Sequence, residues 1–242
     1  MTTLFISDLH LEGERPDVSD QFLEFLKTEG RDAEALYILG NLFEAWVGDD
    51  DPNTHYHMIK MALRKLVDHS VPVYFIHGDR DFMIGRQFAN ETGVKILEDP
   101  CRITLYGRRA LLSHGDLLCT GDAKLHSIRK MTRNADFKAS MLAKPLKERI
   151  RIAQESRRQS LEQTINQSLN IPDVNEDAVK QALTKHRAEV LLHGHTHRPG
   201  VHTVDLGGRK ATRIVLGDWY LQGSVVRWDM RGPKLEELPR RR

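Results

Sequence analysis

Five short apolar segments of this chain are each followed by histidine, aspartate or asparagine, usually with a glycine alongside. The polar residues that follow them are Asp8, His10, Asn41, Asp79, His114, His195 and His197. Short apolar runs bounded in this way are typical of buried strands, and the loops after such strands converge at one edge of an open α/β sheet. The chain is therefore constrained to an α/β fold whose strand ends share one polar cluster.

Strand and helix signals alternate through the first half of the chain. Apolar runs at residues 4–7, 35–39 and 71–76 predict strands, and the patterns at residues 22–28 and 57–68 predict helices. This order predicts a mixed or parallel sheet that is covered by helices on both faces. After Val94 the signal becomes β-rich, with a hairpin turn expected at residues 106–108, and strands return after Ala188.

Residues 121–170 differ from the rest of the chain. From Lys124 to Arg158, eleven Lys or Arg stand against three Asp or Glu. Apolar residues recur there at helical spacing, interrupted by Pro145. We therefore predict one core formed by residues 1–120 and 171–242, and an inserted helical segment at residues 121–170, called the lid below. Its apolar residues either pack on the core or shelter acyl chains, and its basic residues are either solvated or face anionic lipid head groups.

Composition limits the function classes. The net charge of +2 gives no general attraction for nucleic acid, and no nucleic-acid partner is expected. The two cysteines, Cys101 and Cys119, favour a reducing cytoplasm over a disulfide framework. The run "LFIS" lacks a basic leader, and no apolar stretch reaches the roughly 20 residues of a membrane span. We expect a soluble chain that is still able to touch a membrane surface.

The seven polar residues at the strand ends indicate a metal centre. Oxygen and imidazole ligands without thiolates suit Mn²⁺, Mg²⁺, Fe²⁺ or Zn²⁺, and seven candidates are too many for one ion. A pair of ions roughly 3.5–4 Å apart generates hydroxide at neutral pH and binds phosphoryl oxygens, which favours phosphoester hydrolysis. Each motif alone has an ordinary explanation as a cap, a turn or a core histidine. The five together, in this order, favour the metal centre.

The motifs "SDLH", "LGN", "HGDRDF", "SHGD" and "HGHTH" resemble those of the calcineurin-like metallophosphoesterases. Longer stretches, such as "ALYILGNLFEAWVGDDDPN", "YFIHGDRDFMIG" and "IVLGDW", resemble the UDP-2,3-diacylglucosamine diphosphatase family over nearly the full length. The resemblance implies an α/β fold, a β-sheet sandwich flanked by helices with an inserted lid. It also implies two Mn²⁺ ions and hydrolysis of the lipid-linked UDP-sugar to UMP and 2,3-diacylglucosamine 1-phosphate (lipid X) in lipid A synthesis. The expected location is the cytoplasmic surface of the inner membrane.

The resemblance also shows an exchange of two residues. The family pattern has Asp where this chain has Asn41, and Asn where it has Asp79. Three interpretations follow. Asn41 binds through its carbonyl oxygen while Asp79 supplies the charge, or Asn41 is a poor bridge that leaves one ion weak, or the chain binds its ligand without catalysis. We favour a retained metal site with altered occupancy or rate.

Substrate contacts are implied by the resemblance as well. Arg80, the predicted catalytic residue, is expected to pair with a phosphate oxygen. The family's substrate-binding positions correspond to Asp79, Arg80, Asp122, Ser160, Thr164, Gln167 and His195. Gln167 departs from the usual lysine, and Thr164 from the frequent asparagine. Two other functions stay open at this point: a general phosphodiesterase or nuclease on the same scaffold, and a binding-only protein.

Overall fold

The computed structural model describes residues 2–121, 123–166, 173–220 and 222–239, without the side chains of residues 123–124 and 159–166. In this part of the chain the strands form two sheets. The first sheet contains β1 (Thr3–Ile6), β2 (Ala35–Ile38), β3 (Val73–Ile76), β4 (Lys95–Leu97), β10 (Gly223–Asp229) and β11 (Gly232–Leu238). The second contains β5 (Cys101–Leu105), β6 (Arg108–Leu112), β7 (Val190–His193), β8 (Gly200–Asp205) and β9 (Lys210–Val215).

Parallel pairing brings the strand ends together. The first sheet has the order β11-β10-β1-β2-β3-β4, and the second has the order β5-β6-β7-β9-β8. Strands β1 to β4 run parallel, as do β6, β7 and β9. The carboxyl ends of β1, β2 and β3 therefore lie along one edge of the first sheet. His114, after β6, bonds through Nδ1 to the carbonyl of Leu39, after β2, and so joins the corresponding edge of the second sheet to it.

Helices cover the outer faces of both sheets. Helices α1 (Pro16–Thr28), α2 (Thr54–Asp68) and α3 (Arg86–Thr92) pack on the first sheet, and α7 (Glu176–Lys185) packs on the second. A third apolar cluster lies between the sheets, where Phe5 and Trp228 are fully buried with ring centroids 6.2 Å apart. Continuous apolar strands such as β2 need cover on both faces, which this layering supplies. The predicted α/β sandwich flanked by helices is confirmed.

Several element boundaries differ from the sequence prediction. Helix α1 begins at Pro16, six residues earlier than expected, because proline is favoured in the first turn of a helix. Helix α2 begins at Thr54, where the side chain of Asn53 accepts a hydrogen bond from the His55 amide at 2.9 Å. Strands β8 and β11 were not expected. Both are edge strands with few buried residues, so they lack the apolar signal of a core strand.

The lid contains three helices, α4 (Ala123–Thr132), α5 (Ala135–Leu142) and α6 (Leu146–Asn166), and the break between α5 and α6 falls at Pro145 as predicted. Its apolar side chains are only partly covered, since Leu142 is 48% exposed and none of α5 is buried. Arginines connect the lid to the core instead: Arg129 bonds to Asp99 and Asp116, and Arg149 bonds to Asp50. Among the described helices, none is long and apolar enough to cross a membrane.

Candidate metal centre

All seven predicted ligands lie at the joined edges of the two sheets. Six of them form two groups, each with one carboxylate and two imidazoles, and the seventh is Asn41. The first cluster is Asp8, His10 and His197, and the second cluster is Asp79, His114 and His195. Within each cluster the ligand atoms lie within 4.8 Å of one another. This donor set fits a divalent ion such as Mn²⁺, Fe²⁺ or Zn²⁺ in each cluster.

Distances within the clusters are short enough for one small ion to contact all three side chains. In the first cluster, Asp8 Oδ1 lies 3.8 Å from His10 Nε2 and 3.5 Å from His197 Nε2. In the second, Asp79 Oδ1 lies 3.1 Å from His114 Nε2 and 3.7 Å from His195 Nδ1. His10 Nε2 is buried and has no hydrogen-bond partner within the described residues, although a buried nitrogen normally has one. An ion in the first cluster would supply that partner.

Asn41 lies between the clusters. Its Nδ2 donates to Asp8 Oδ1 at 3.2 Å and to Asp79 Oδ1 at 2.9 Å. Its Oδ1 accepts from the Arg80 amide at 3.1 Å. In this arrangement the carbonyl oxygen of Asn41 therefore faces the Arg80 amide, and its binding to the ions stays a prediction. Two facing carboxylates require a donor between them, and the amide nitrogen supplies it.

The exchange at positions 41 and 79 therefore gives each cluster a carboxylate of its own. A neutral amide stands between the clusters and carries no charge for two ions to share. Close approach of the loops depends on Gly78, because a Cβ there would lie 2.0 Å from Asn41 Oδ1. The loop after β3 can hold Asp79 beside Asn41 only with glycine at this position.

The backbone at the centre adopts a conformation that most residues avoid. Of the non-glycine residues with positive φ in the described part of the chain, five are predicted ligands: Asp8 (55°), His10 (52°), Asn41 (52°), His195 (67°) and His197 (54°). Each such residue costs about 1–3 kcal/mol. The surrounding sheets therefore hold these side chains at a site where the backbone would otherwise relax.

Further side chains orient the imidazoles. His10 Nδ1 lies 2.7 Å from Glu44 Oε2, and His197 Nδ1 lies 3.2 Å from Asp218 Oδ2. These bonds place the proton on Nδ1 and leave Nε2 facing Asp8. Neither carboxylate was predicted from the sequence. Asp218 follows strand β9 and a glycine in "IVLGDW", and this signal could have revealed it. Glu44 stands three residues after Asn41 in "LGNLFEAW", outside the five motifs.

Charge is stabilised strongly in both clusters. Burial opposes ionisation of Asp79, yet bonds with His114 and His195 hold its pKa well below the usual range. Burial lowers the basicity of His197, but its bonds with Asp218 and Asp8 raise its pKa to about 9. The pKa of His195 is likewise raised well above its ordinary value by Asp79, against the effect of burial. Protons and divalent ions therefore compete for the same nitrogens.

The predicted substrate contacts are placed only in part. The Arg80 side chain is half-buried, and its Nε lies 3.9 Å from Asp79 Oδ2, at the open side of the second cluster. From there a guanidinium can reach a phosphate held by the ions. Asp122 and Gln167 lie outside the described residues, as do the side chains of Ser160 and Thr164 on α6. Their roles stay predictions.

Comparison with protein families identifies the class. The model of the calcineurin-like phosphoesterases matches residues 1–199. This chain belongs to the calcineurin-like phosphoesterase family, and the family resemblance drawn from its motifs is confirmed. Two solved structures match across nearly the whole chain at a TM-score of 0.50. One is an archaeal phosphodiesterase at 12% identity (98% of this chain, 99% of that one), and the other is a predicted phosphoesterase from Streptococcus pneumoniae at 13% identity (99% and 89%). They support the fold.

Relatives of higher sequence identity share one name within this family. UDP-2,3-diacylglucosamine hydrolase of Stenotrophomonas maltophilia is 49% identical over 247 residues, covering 99% of this chain and 100% of that protein. The enzymes of the same name from Xanthomonas oryzae pv. oryzae (98% of this chain, 99% of theirs) and Enterobacter sp. (99% and 100%) are 48% identical. The narrower resemblance is thus confirmed over nearly the full length of the chain.

Proposed function

We propose that this chain hydrolyses UDP-2,3-diacylglucosamine to UMP and 2,3-diacylglucosamine 1-phosphate, a step of lipid A synthesis. Water adds across the diphosphate: one P–O bond breaks, the hydroxyl joins one phosphorus, and the proton goes to the released phosphate. The observation that carries this proposal is the pair of carboxylate and imidazole clusters, whose carboxylates both accept a hydrogen bond from the Asn41 amide. They occur in a chain that is 49% identical to a relative named for this substrate.

Individual residues of the centre have distinct tasks. Asp8, His10 and His197 hold one ion, and Asp79, His114 and His195 hold the other. Bound divalent ions acidify water and neutralise charge on phosphoryl oxygens. Arg80 pairs with a phosphate oxygen and orients the diphosphate, since a guanidinium matches that geometry. Glu44 and Asp218 fix the imidazoles of the first cluster.

The finer assignments are part of the proposal. The metal is Mn²⁺, which the mixed oxygen and imidazole donors suit. Asp122, Ser160, Thr164 and Gln167 contact the nucleotide-sugar head group, and the partly exposed apolar residues of the lid lie over the acyl chains. The chain works at the cytoplasmic surface of the inner membrane, where its substrate is held and where basic lid residues meet anionic lipid.

The exchange at positions 41 and 79 alters the rate without removing the centre. Each cluster keeps one carboxylate, so two ions bind. The neutral amide of Asn41 reduces the repulsion between these ions less than a shared carboxylate would. The test is UMP release from UDP-2,3-diacylglucosamine with Mn²⁺, with the unaltered chain beside Asn41→Asp/Asp79→Asn. We expect release by both, with the double variant faster.

Two controls separate the other functions. An aryl phosphodiester is offered as substrate to the same proteins. Hydrolysis of that diester without release of UMP from the lipid nucleotide would contradict the proposal in favour of a general phosphodiesterase. A binding-only protein would be shown if the unaltered chain binds the lipid nucleotide tightly without forming UMP, while the double variant forms UMP from it.

A further inference from the structure

One carboxylate connects the first cluster to the lid. Glu44 is buried, and its Oε2 lies 2.7 Å from His10 Nδ1. Its other oxygen, Oε1, lies 3.2 Å from Nε of Arg157, on lid helix α6. The same side chain therefore accepts a hydrogen bond from a predicted metal ligand and pairs with a lid cation.

The lid arginine is also held by a second core carboxylate. Arg157 pairs with Glu12 through both terminal nitrogens, with Nη1 to Oε2 at 2.6 Å and Nη2 to Oε1 at 3.1 Å. Glu12 lies two residues after His10, in the loop after β1. The fork geometry fixes the guanidinium beside Glu44 rather than leaving it as a loose surface ion pair.

The backbone of Glu44 does not depend on the lid. The Glu44 amide donates to the Leu11 carbonyl at 3.1 Å, and the Leu11 amide donates to the Leu42 carbonyl at 2.9 Å. The loops after β1 and β2 are thus joined within the core. A change at Arg157 therefore reaches His10 through the Glu44 side chain, through charge and through Glu12 of the same loop.

We propose that Glu44 and Arg157 are positioning residues that link the lid to occupancy of the first cluster, and that an ion in this cluster weakens the hold on Arg157. The inference rests on the metal centre proposed above. A divalent ion on His10 makes its Nδ1–H a stronger donor, which draws the charge of Glu44 towards His10. The ion also repels the guanidinium across a buried, weakly screened distance. Filling the centre thereby frees the lid to admit substrate.

The same helix offers a matched control. Arg149, on α6, is buried, pairs with Asp50 Oδ1 at 2.7 Å and donates to the Val47 carbonyl at 2.6 Å. This second connection between lid and core touches no ligand of either cluster. Arg149→Gln therefore loosens the lid and leaves the charge beside His10 unaltered. Arg157→Gln loosens the lid and also removes a positive charge beside Glu44.

The experiment measures Mn²⁺ binding by electron paramagnetic resonance of the free ion, without substrate, in the full chain. Because linkage is reciprocal, Arg157→Gln should tighten one of the two sites about fivefold. Arg149→Gln should leave both affinities unchanged. Glu44→Gln should weaken one site at least about tenfold, and adding Arg157→Gln to it should tighten that site less than about fivefold, since only the direct repulsion by the guanidinium is then removed. Arg157 is 37% exposed, so its variant tests the linkage even if the buried Glu44→Gln fails to fold.

Hydrogen exchange gives the reciprocal measurement. Amides of residues 146–158 should exchange faster with Mn²⁺ than without it in the unaltered chain, and equally in Arg157→Gln. The linkage would be overturned by equal Mn²⁺ affinities in the unaltered chain and Arg157→Gln, or by amide exchange that is the same with and without Mn²⁺. If two ions still bind in that case, the proposed metal centre is retained. An unaltered chain that binds no Mn²⁺ would overturn the metal centre and the linkage together.

Discussion

The two clusters have the same three donors but different surroundings. In the first, both imidazoles bond to further carboxylates, Glu44 and Asp218, and Asp8 is fully buried. In the second, His114 Nδ1 bonds to the Leu39 carbonyl rather than to a further carboxylate, and the Asp79 side chain is 25% exposed. Arg80 adds a positive charge beside Asp79. The more negative, enclosed first cluster is suited to retain an ion, and the open second cluster is suited to meet a phosphate.

The largest effect is expected from Asp79→Asn, because Asp79 is the only carboxylate of the second cluster. The variant should bind one Mn²⁺ instead of two and lose hydrolysis on the order of 10³-fold, since one ion contributes several kcal/mol to the transition state. Metal analysis after gel filtration and a UMP assay measure both effects.

Asn41→Asp/Asp79→Asn is the matched control for that variant, since it returns a carboxylate to the space between the clusters. Two ions and activity should reappear. If Asn41→Asp and Asp79→Asn have simply additive effects, positions 41 and 79 are not coupled and compensation between them is ruled out.

Arg80→Gln should separate phosphate binding from metal binding. Arg80 faces the second cluster without being a ligand, so the variant should lose about 10²-fold in kcat/KM and keep two ions. Steady-state kinetics and metal analysis on the same sample measure this. Loss of an ion from this variant would mean that Arg80 maintains the cluster rather than orienting substrate.

Asp218→Asn should affect the first cluster alone. It removes the charge behind His197 and should weaken one Mn²⁺ site about tenfold. Asp229→Asn, at a remote and exposed ion pair with Arg231, is the control and should change neither site. If Asp218→Asn weakened Mn²⁺ binding equally at both sites, Asp218 would not act on the first cluster alone, which would contradict this account.

A smaller effect is expected from pH. The pKa of His197 is raised to about 9 in the folded chain, above its ordinary value of 6.5. This stabilisation is fully present below pH 6.5 and is lost as the pH rises to about 9. The Tm of the chelator-treated chain should therefore fall over that range, while the gain in Tm on adding Mn²⁺ should grow, because fewer protons compete. Scanning calorimetry in matched buffers checks both slopes.

The sequence predicted the parts of the centre that follow buried strands. Apart from Thr3, strands β1 to β3 are apolar because both of their faces are covered. The residues that follow them, such as Asp8 and Asp79, must therefore lie at the sheet edge. The same reasoning did not predict Glu44, Asp218 and Arg157. The role of each depends on a contact with a residue far away in the sequence, which no local pattern shows. Edge strands β8 and β11 escaped it because exposed strands need no apolar pattern.

The most direct test of the account is the anomalous scattering of manganese in crystals grown with excess Mn²⁺. The account predicts two ions roughly 3.5–4 Å apart, one on Asp8, His10 and His197 and the other on Asp79, His114 and His195, with Asn41 between them. A single ion, or manganese bound away from these side chains, would contradict it.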